Sequence, residues 1–160
     1  MSLQAVPPRE EIYYQNRLAD TGIIHKRIPC DDVEGYDMLG EHWEECREFL
    51  QSVKNTPDGR VVVHCLAGVN RSGFVVCGAY MFFQRHNLIP AVRHCLVRRG
   101  RILWNQSFQD QLCLLAHREN LLGPRPKSYT DDRMIDESTS LPAHEVLGIS
   151  ETQWGDDGLS

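Results

Sequence analysis

The feature that most constrains the fold is a short β-branched run that leads, through one tight loop, into an apolar helix. The run Arg60-Val61-Val62-Val63-His64 has the composition of a buried parallel strand. Residues 72–85 are apolar nearly all round, as in a helix at the centre of a domain. The order of strand, loop and buried helix predicts an α/β fold with a central, mostly parallel sheet flanked by helices.

The rest of the chain carries weaker signals of the same kind. A strand is predicted at 23–29, where Pro29 stops it. Helices are predicted at 41–55, 90–99 and 107–122, and a short helix or turn at 13–22. Beyond Pro126 the apolar periodicity ends, so we expect one domain over 1–126 and an acidic, flexible tail over 127–160.

The loop between the strand and the helix has the residue types of a phosphate-binding site. Five residues separate Cys65 from Arg71, namely Leu66, Ala67, Gly68, Val69 and Asn70. At a helix N-terminus such a loop turns successive backbone N–H groups inward, and this nest binds a tetrahedral anion. Gly68 permits a backbone conformation that a Cβ would disfavour. The planar fork of Arg71 can hold two phosphate oxygens at once.

The same electrostatic field acts on Cys65, whose thiolate is the reactive form of the side chain. Helix N-termini and nearby cations lower thiol pKa values from about 8.5 to about 3.5–7.5. We therefore predict that Cys65 is largely ionised at neutral pH and acts as a nucleophile. Ser72 is close enough in sequence to donate its hydroxyl to the sulfur. His64 is expected to brace the loop through its two ring nitrogens.

The segment His-Cys-x2-Gly-x2-Arg-Ser at residues 64–72 resembles the phosphate-binding loop of the cysteine-dependent protein tyrosine phosphatases, and most of all their dual-specificity branch. The similarity extends over about residues 23–122. It implies that Cys65 forms a phosphocysteine intermediate and that Arg71 and residues 66–70 hold the phosphoryl group. It also implies that no metal or cofactor is needed. Residues 105–112 resemble the family's Asn-x2-Phe-x2-Gln-Leu signature, in which Asn105 would support the site by tying loops together.

Members of this family protonate the leaving oxygen with an aspartic acid that lies about 30 residues before the nucleophile. Asp31 and Asp32 are the two candidates in this chain. Asp32 is favoured because Asp37-Met38, five residues further on, matches the family pattern. We expect Asp32 to be the general acid, and Asp31 is the alternative.

Composition limits the cellular environment and the binding partners that we expect for this chain. Six cysteines without a CxxC pair, four of them in apolar runs, favour a reduced protein of the cytoplasm or nucleus over a zinc or disulfide protein. No apolar run reaches the length of about 18 residues that a membrane span needs. The total charge is −5, of which residues 131–160 carry −7, so the rest carries only +2. This weak positive charge argues against a nucleic-acid partner, and no oligomeric state is predicted.

The N-terminal part is short for this family, because only 22 residues precede Ile23. Two or three strands of the usual sheet are therefore expected to be missing. Either the N-terminal segment and the tail replace them, or the chain is a truncated or alternative product whose sheet has an open edge.

The predicted function is hydrolysis of phosphotyrosine and of phosphoserine or phosphothreonine in a phosphoprotein substrate. The chain has no room for the segments that deepen the cleft of phosphotyrosine-specific members. Three alternatives stay open. Residues 70–73 resemble the loop end of RNA 5′-triphosphatases, although these need no aspartate acid and favour a basic surface. A phosphoinositide phosphatase would usually place lysines in the loop, where this chain has none. The third alternative is a module that binds phosphorylated ligands but hydrolyses them poorly, because the missing strands weaken the domain.

Overall fold

The computed structural model describes residues 1–4 and 8–124. Its regular structure consists of α1 (Pro8–Leu18), α2 (Met38–Lys54), α3 (Arg71–Gln84), α4 (Leu88–Arg99) and α5 (Gln106–Arg118). The helices predicted at 41–55, 72–85, 90–99 and 107–122 are confirmed with shifted ends. The short helix or turn predicted at 13–22 is a helix that starts and ends earlier. The predicted tail lies outside the described residues.

Local capping explains where two of these helices differ from the prediction. The Asp37 carboxylate accepts a hydrogen bond from the Gly40 N–H at 2.7 Å, which caps α2 and starts it at Met38. Two residues after the end of α5, Asn120 adopts a left-handed conformation with φ of 56°. A non-glycine residue in this region ends a helix, so α5 stops before the predicted residue 122.

Helix α3 lies at the centre of the helical layer and packs against α2, α4 and α5. Its side chains Phe74, Val75 and Met81 are fully buried. The Trp43 ring of α2 meets Phe74 edge-on, with the ring centroids 6.3 Å apart. A Cβ added at Gly78 would lie 2.8 Å from Trp43 Cζ3, so the glycine makes room for the indole. Burial on several sides explains why the sequence of α3 shows little polar periodicity.

The predicted central sheet is not confirmed, because no strand forms within residues 1–4 and 8–124. The segments predicted as strands at 23–29 and 60–64 each contribute a single bridge residue. Ser2 forms parallel bridges with Arg27 and with His64. The Ile28 N–H donates to the Ser2 carbonyl at 2.9 Å, and the Leu3 N–H donates to the His64 carbonyl at 2.8 Å. The N-terminal residues therefore lie between the two segments, and the pairing is parallel but too short for a ladder.

Four of the β-branched residues of these segments are exposed, namely Ile23, Ile24, Val61 and Val62, although Ile28 is fully buried. This exposure is the physical reason why the strands do not form. Val62 is 76% exposed and Ile24 is 80% exposed. Both line an open groove of about 830 Å³ between α1, the end of α2 and residues 59–64. A β-branched run becomes a stable strand only when partners cover it. Separately, every helix in the part of the chain that the structure describes is too short or too polar to span a membrane.

Candidate active site

The loop from Cys65 to Asn70 places a buried sulfur at the N-terminus of α3. The Cys65 side chain is only 5% exposed, and its Sγ lies 3.3 Å from Ser72 Oγ in the first turn of the helix. Gly68 has a φ of +69°, a left-handed conformation that L residues rarely adopt. The turn at this glycine directs backbone N–H groups toward the sulfur, as the sequence predicts.

Two opposing effects set the pKa of the Cys65 thiol. Burial raises it, but the Ser72 hydroxyl and the backbone N–H groups of Ser72, Gly68 and Val69 donate hydrogen bonds to the sulfur. The donors outweigh burial, so the pKa of Cys65 lies below its ordinary value. In contrast, burial raises the pKa of Cys30 to about 11 and that of Cys46 to about 12. The direction predicted for Cys65 is therefore the one that the structure gives.

The Arg71 guanidinium is buried beside the loop and has unused donor capacity. Its Nη1 donates to the Cys30 carbonyl at 3.0 Å. Its Nε lies 3.8 Å from Asp32 Oδ2 and makes no hydrogen bond to any of the described residues. A buried N–H without a partner is costly unless a ligand satisfies it. This donor therefore suits an oxyanion held above Cys65.

Asp32 is held against the phosphate-binding loop by two amides. Asn70 Nδ2 and Asn105 Nδ2 donate to Asp32 Oδ1 at 3.1 and 3.4 Å. Asn70 Oδ1 also accepts hydrogen bonds from the backbone N–H groups of Trp104 and Asn105, at 2.6 and 3.1 Å. Asn105 is buried and caps α5 by accepting from the Phe108 N–H at 3.2 Å. The two asparagines thus join three segments around one carboxylate.

The other predicted site residues take less central positions. Asp31 is exposed, unlike its half-buried neighbour Asp32. Leu66 is 83% exposed and Ala67 is also exposed, so these two side chains form the outer edge of the loop. His64 is exposed and lines the groove described above. Its backbone pairs with residues 1–3, and the bracing by its ring nitrogens that we expected is absent from the contacts of the described residues.

Two residues that the sequence did not single out also hold the site. The Glu34 carboxylate accepts hydrogen bonds from Gln106 N and Ser107 N, both at 2.9 Å. Gln111 donates to the Tyr36 carbonyl at 2.7 Å and accepts from the Leu39 N–H at 2.9 Å. These partners lie more than 70 positions apart in the sequence, so no local pattern reveals them. Gln111 belongs to the Asn-x2-Phe-x2-Gln-Leu signature, and this signature could have identified it as a residue that supports the site.

Further positive charge lies beside the loop. A Cβ added at Gly68 would come within 3.0 Å of Arg99 Nη2, so the side chain of this α4 residue reaches the loop. Together with Arg71, Arg99 makes the site favourable for a doubly charged anion. Among the described residues, no group of three His, Cys, Asp or Glu side chains is placed to hold a metal ion.

Comparison with known proteins agrees with this geometry. A family model described as "Dual specificity phosphatase, catalytic domain" matches residues 4–118. Dual specificity protein phosphatase 26 of Bos taurus is 32% identical over 97 residues, which cover 61% of this chain and 45% of the bovine protein. Dual specificity protein phosphatase 2 of Mus musculus is 40% identical over 96 residues, covering 59% of this chain and 29% of the mouse protein. The chain thus spans less than half the length of these relatives.

A solved structure supports the fold. The Yvh1 phosphatase domain of Chaetomium thermophilum superposes with a TM-score of 0.58 at 20% identity, over 77% of this chain and 80% of that domain. At this identity the likeness concerns the fold alone, and it identifies a protein tyrosine phosphatase-like arrangement. The family match covers well over half of the 160 residues. The chain therefore belongs to the dual specificity phosphatase family and carries its catalytic domain.

Proposed function

We propose that the chain hydrolyses phosphate monoesters of proteins, with Cys65 as the nucleophile. The observation that carries the proposal is the convergence of one hydroxyl and three backbone N–H groups on a buried sulfur whose pKa they lower. Such a cradle favours a thiolate and also fits the oxygens of a phosphoryl group. The family of the chain supports the same reaction class.

In the first step the Cys65 thiolate attacks phosphorus while the bond to the leaving oxygen breaks. Arg71 binds the equatorial oxygens through its Nε, which makes no hydrogen bond to the described residues, and the loop N–H groups bind them as well. Negative charge is spread over these oxygens in the transition state. Asp32, in its protonated form, donates its proton to the leaving oxygen. Support for Asp32 comes from its contacts with Asn70 and Asn105 beside the loop.

In the second step water attacks the phosphocysteine and the sulfur leaves as a thiolate. The Asp32 carboxylate accepts a proton from this water, which restores the acid for the next cycle and releases inorganic phosphate. Ser72 donates its hydroxyl to the departing sulfur, and the 3.3 Å contact between the two atoms supports this role. No metal or cofactor takes part in either step.

We propose phosphotyrosine and phosphoserine or phosphothreonine as substrates. Support comes from the open rim of the site, where Leu66 is 83% exposed and Trp104 is 47% exposed. A shallow pocket admits the shorter phosphoserine side chain as well as phosphotyrosine. The contacts of Asp32 with the loop give no support to an RNA triphosphatase, which needs no such acid. The chemistry requires a reduced thiol, so we propose a cytoplasmic or nuclear location.

Turnover of small aryl phosphates tests the proposal. Cys65→Ser should abolish hydrolysis, because an alcohol is not ionised in this pocket. Asp32→Asn should lower kcat/KM by about 10²–10⁴-fold for phosphates with poor leaving groups, such as phenyl phosphate. Asp31→Asn is the matched control and should stay near wild type. Full activity of Cys65→Ser would refute the nucleophile, and a large loss in Asp31→Asn alone would move the acid to that residue.

A further inference from the structure

Glu34 caps a helix that belongs to a different part of the chain. Its two carboxylate oxygens accept hydrogen bonds from the N–H groups of Gln106 and Ser107, each at 2.9 Å. The first N–H groups of a helix have no partner within the helix, and a negative charge at this end is favourable. Asn105 satisfies the next N–H, that of Phe108. The start of α5 thus depends on a side chain from the loop that contains Asp32.

This cap lies two residues from Asp32 and closes a short ring. One side of the ring is the backbone from Asp32 to Glu34, and the other side is the backbone from Asn105 to Ser107. At one end of the ring, Asn105 Nδ2 contacts Asp32 Oδ1 at 3.4 Å. At the other end, the Glu34 carboxylate accepts hydrogen bonds from Gln106 N and Ser107 N. A ring this small leaves the Asp32 carboxylate little freedom to turn away from the site.

A second anchor holds the far end of the same loop. Gln111, one turn along α5, binds the Tyr36 carbonyl and the Leu39 N–H through its amide, at 2.7 and 2.9 Å. If Glu34 is lost, Gln111 still attaches the loop to α5, so the domain keeps its fold. The segment around Asp32, however, loses its attachment to the first N–H groups of α5, while the contacts of Asp32 with Asn70 and Asn105 remain. Loss of the cap should lower stability without unfolding the domain, and its effect on catalysis should fall on proton donation.

We propose that Glu34 is a positioning residue that holds Asp32 in line with the leaving oxygen. The inference rests on the proposed function and deepens it, since the hydrogen bonds of Glu34 among the described residues go to α5 and not to Cys65 or Arg71. Glu34 is exposed, and its hydrogen bonds among the described residues are to backbone N–H groups of α5. Loss of a helix cap lowers stability, but a smaller folded fraction would lower turnover of every substrate equally. A change in catalysis that depends on the leaving group would therefore separate positioning from a purely structural role.

The test compares kcat/KM of the full chain on two substrates. Phenyl phosphate needs a proton on its leaving oxygen. The 2,4-dinitrophenolate of 2,4-dinitrophenyl phosphate is a weak base and departs without protonation. Glu34→Ala should lower kcat/KM by about tenfold on phenyl phosphate and by less than about twofold on the dinitrophenyl ester. Glu44→Ala is the matched control, because Glu44 pairs with Arg47 on the surface of α2, away from the loop that contains Asp32. It should leave both values unchanged.

A double-mutant cycle gives the second readout. If Glu34 acts through Asp32, Glu34→Ala should have no further effect on phenyl phosphate in an Asp32→Asn background. Glu34→Gln keeps one acceptor oxygen, so its loss of kcat/KM should depend on the substrate in the same way but be smaller. This variant replaces Glu34→Ala in the test if the alanine variant unfolds. Equal losses on both substrates, or additive losses in the cycle, would overturn the inference. Activity of Cys65→Ser would instead overturn the proposed function, so the two failures are distinguishable.

Discussion

Replacing Ser72 by alanine should raise the pKa of the Cys65 thiol by about one unit. The change removes a hydroxyl whose oxygen lies 3.3 Å from the sulfur, at a site where Cys65 is only 5% exposed. A hydrogen bond to a charged group contributes about 1.5–3 kcal/mol. We take the lower end, because the backbone N–H groups stay in place and continue to stabilise the thiolate. Since about 1.4 kcal/mol corresponds to one pKa unit, the expected shift is about one unit.

The rate of inactivation by iodoacetate, measured as a function of pH, reports this pKa. Loss of a donor to the thiolate favours the protonated form, so the midpoint of the rate profile should move to higher pH. At a fixed pH below both midpoints, alkylation should be about three- to tenfold slower in Ser72→Ala than in the wild type. The thiolate fraction falls about tenfold, while each remaining thiolate is a stronger nucleophile. In turnover, kcat should fall more than kcat/KM, because the hydroxyl also assists departure of the sulfur from phosphocysteine.

A second serine provides the control for this experiment. Ser52 on α2 is exposed and donates its hydroxyl to the Phe49 carbonyl, so Ser52→Ala should leave the profile unchanged. Peptide mapping should locate the label on Cys65 in all three proteins. An unchanged or lower midpoint in Ser72→Ala would refute the reasoning, because it would mean that the hydroxyl does not stabilise the thiolate.

Two further predictions concern stability. In Gly78→Ala the new Cβ would lie 2.8 Å from Trp43 Cζ3 and 3.2 Å from Leu115 Cδ2. We expect the free energy of unfolding, measured in urea, to fall by about 1–3 kcal/mol. An unchanged value would contradict this prediction, because it would show that the core accommodates the methyl group without cost. Burial raises the pKa of Cys46 from 9.0 to about 12, so the stability linked to its neutral thiol is complete below pH 9 and is lost as the pH rises toward 12. The urea midpoint should decline over this alkaline range, and Cys46→Ala should reduce the decline; parallel curves for the two proteins would contradict this assignment.

The sequence predicted the parts of the molecule that local patterns determine. Local patterns of apolar residues located α2 to α5, with α3 marked by a continuous apolar run and not by periodicity. The spacing of Cys65, Arg71 and Ser72 located the loop at the start of α3. These signals work because the interacting groups are near neighbours along the chain. For α1, a proline at its first position, Pro8, was an available start signal that the prediction did not use.

Contacts between distant segments were harder to predict, for two physical reasons. Glu34 and Asn70 act through side-chain hydrogen bonds to loops or helix ends elsewhere in the chain, and such bonds leave no periodic pattern. The β-branched run at 60–64 has the composition of a strand, but composition does not say whether a partner strand exists. Here the pairing with residues 1–3 yields only one bridge at His64.

Helix α3 begins at Arg71, the residue that faces the proposed oxyanion, and continues into the most buried part of the protein. The pocket and the core therefore form one cooperative unit, and thermal loss of activity should coincide with global melting. Alterations near Phe74, although remote from any substrate, should be detected first as weakened phosphoryl transfer. Leu66 and Trp104 lie on the solvent-facing rim instead, so substitutions there should alter substrate preference without disturbing the helix.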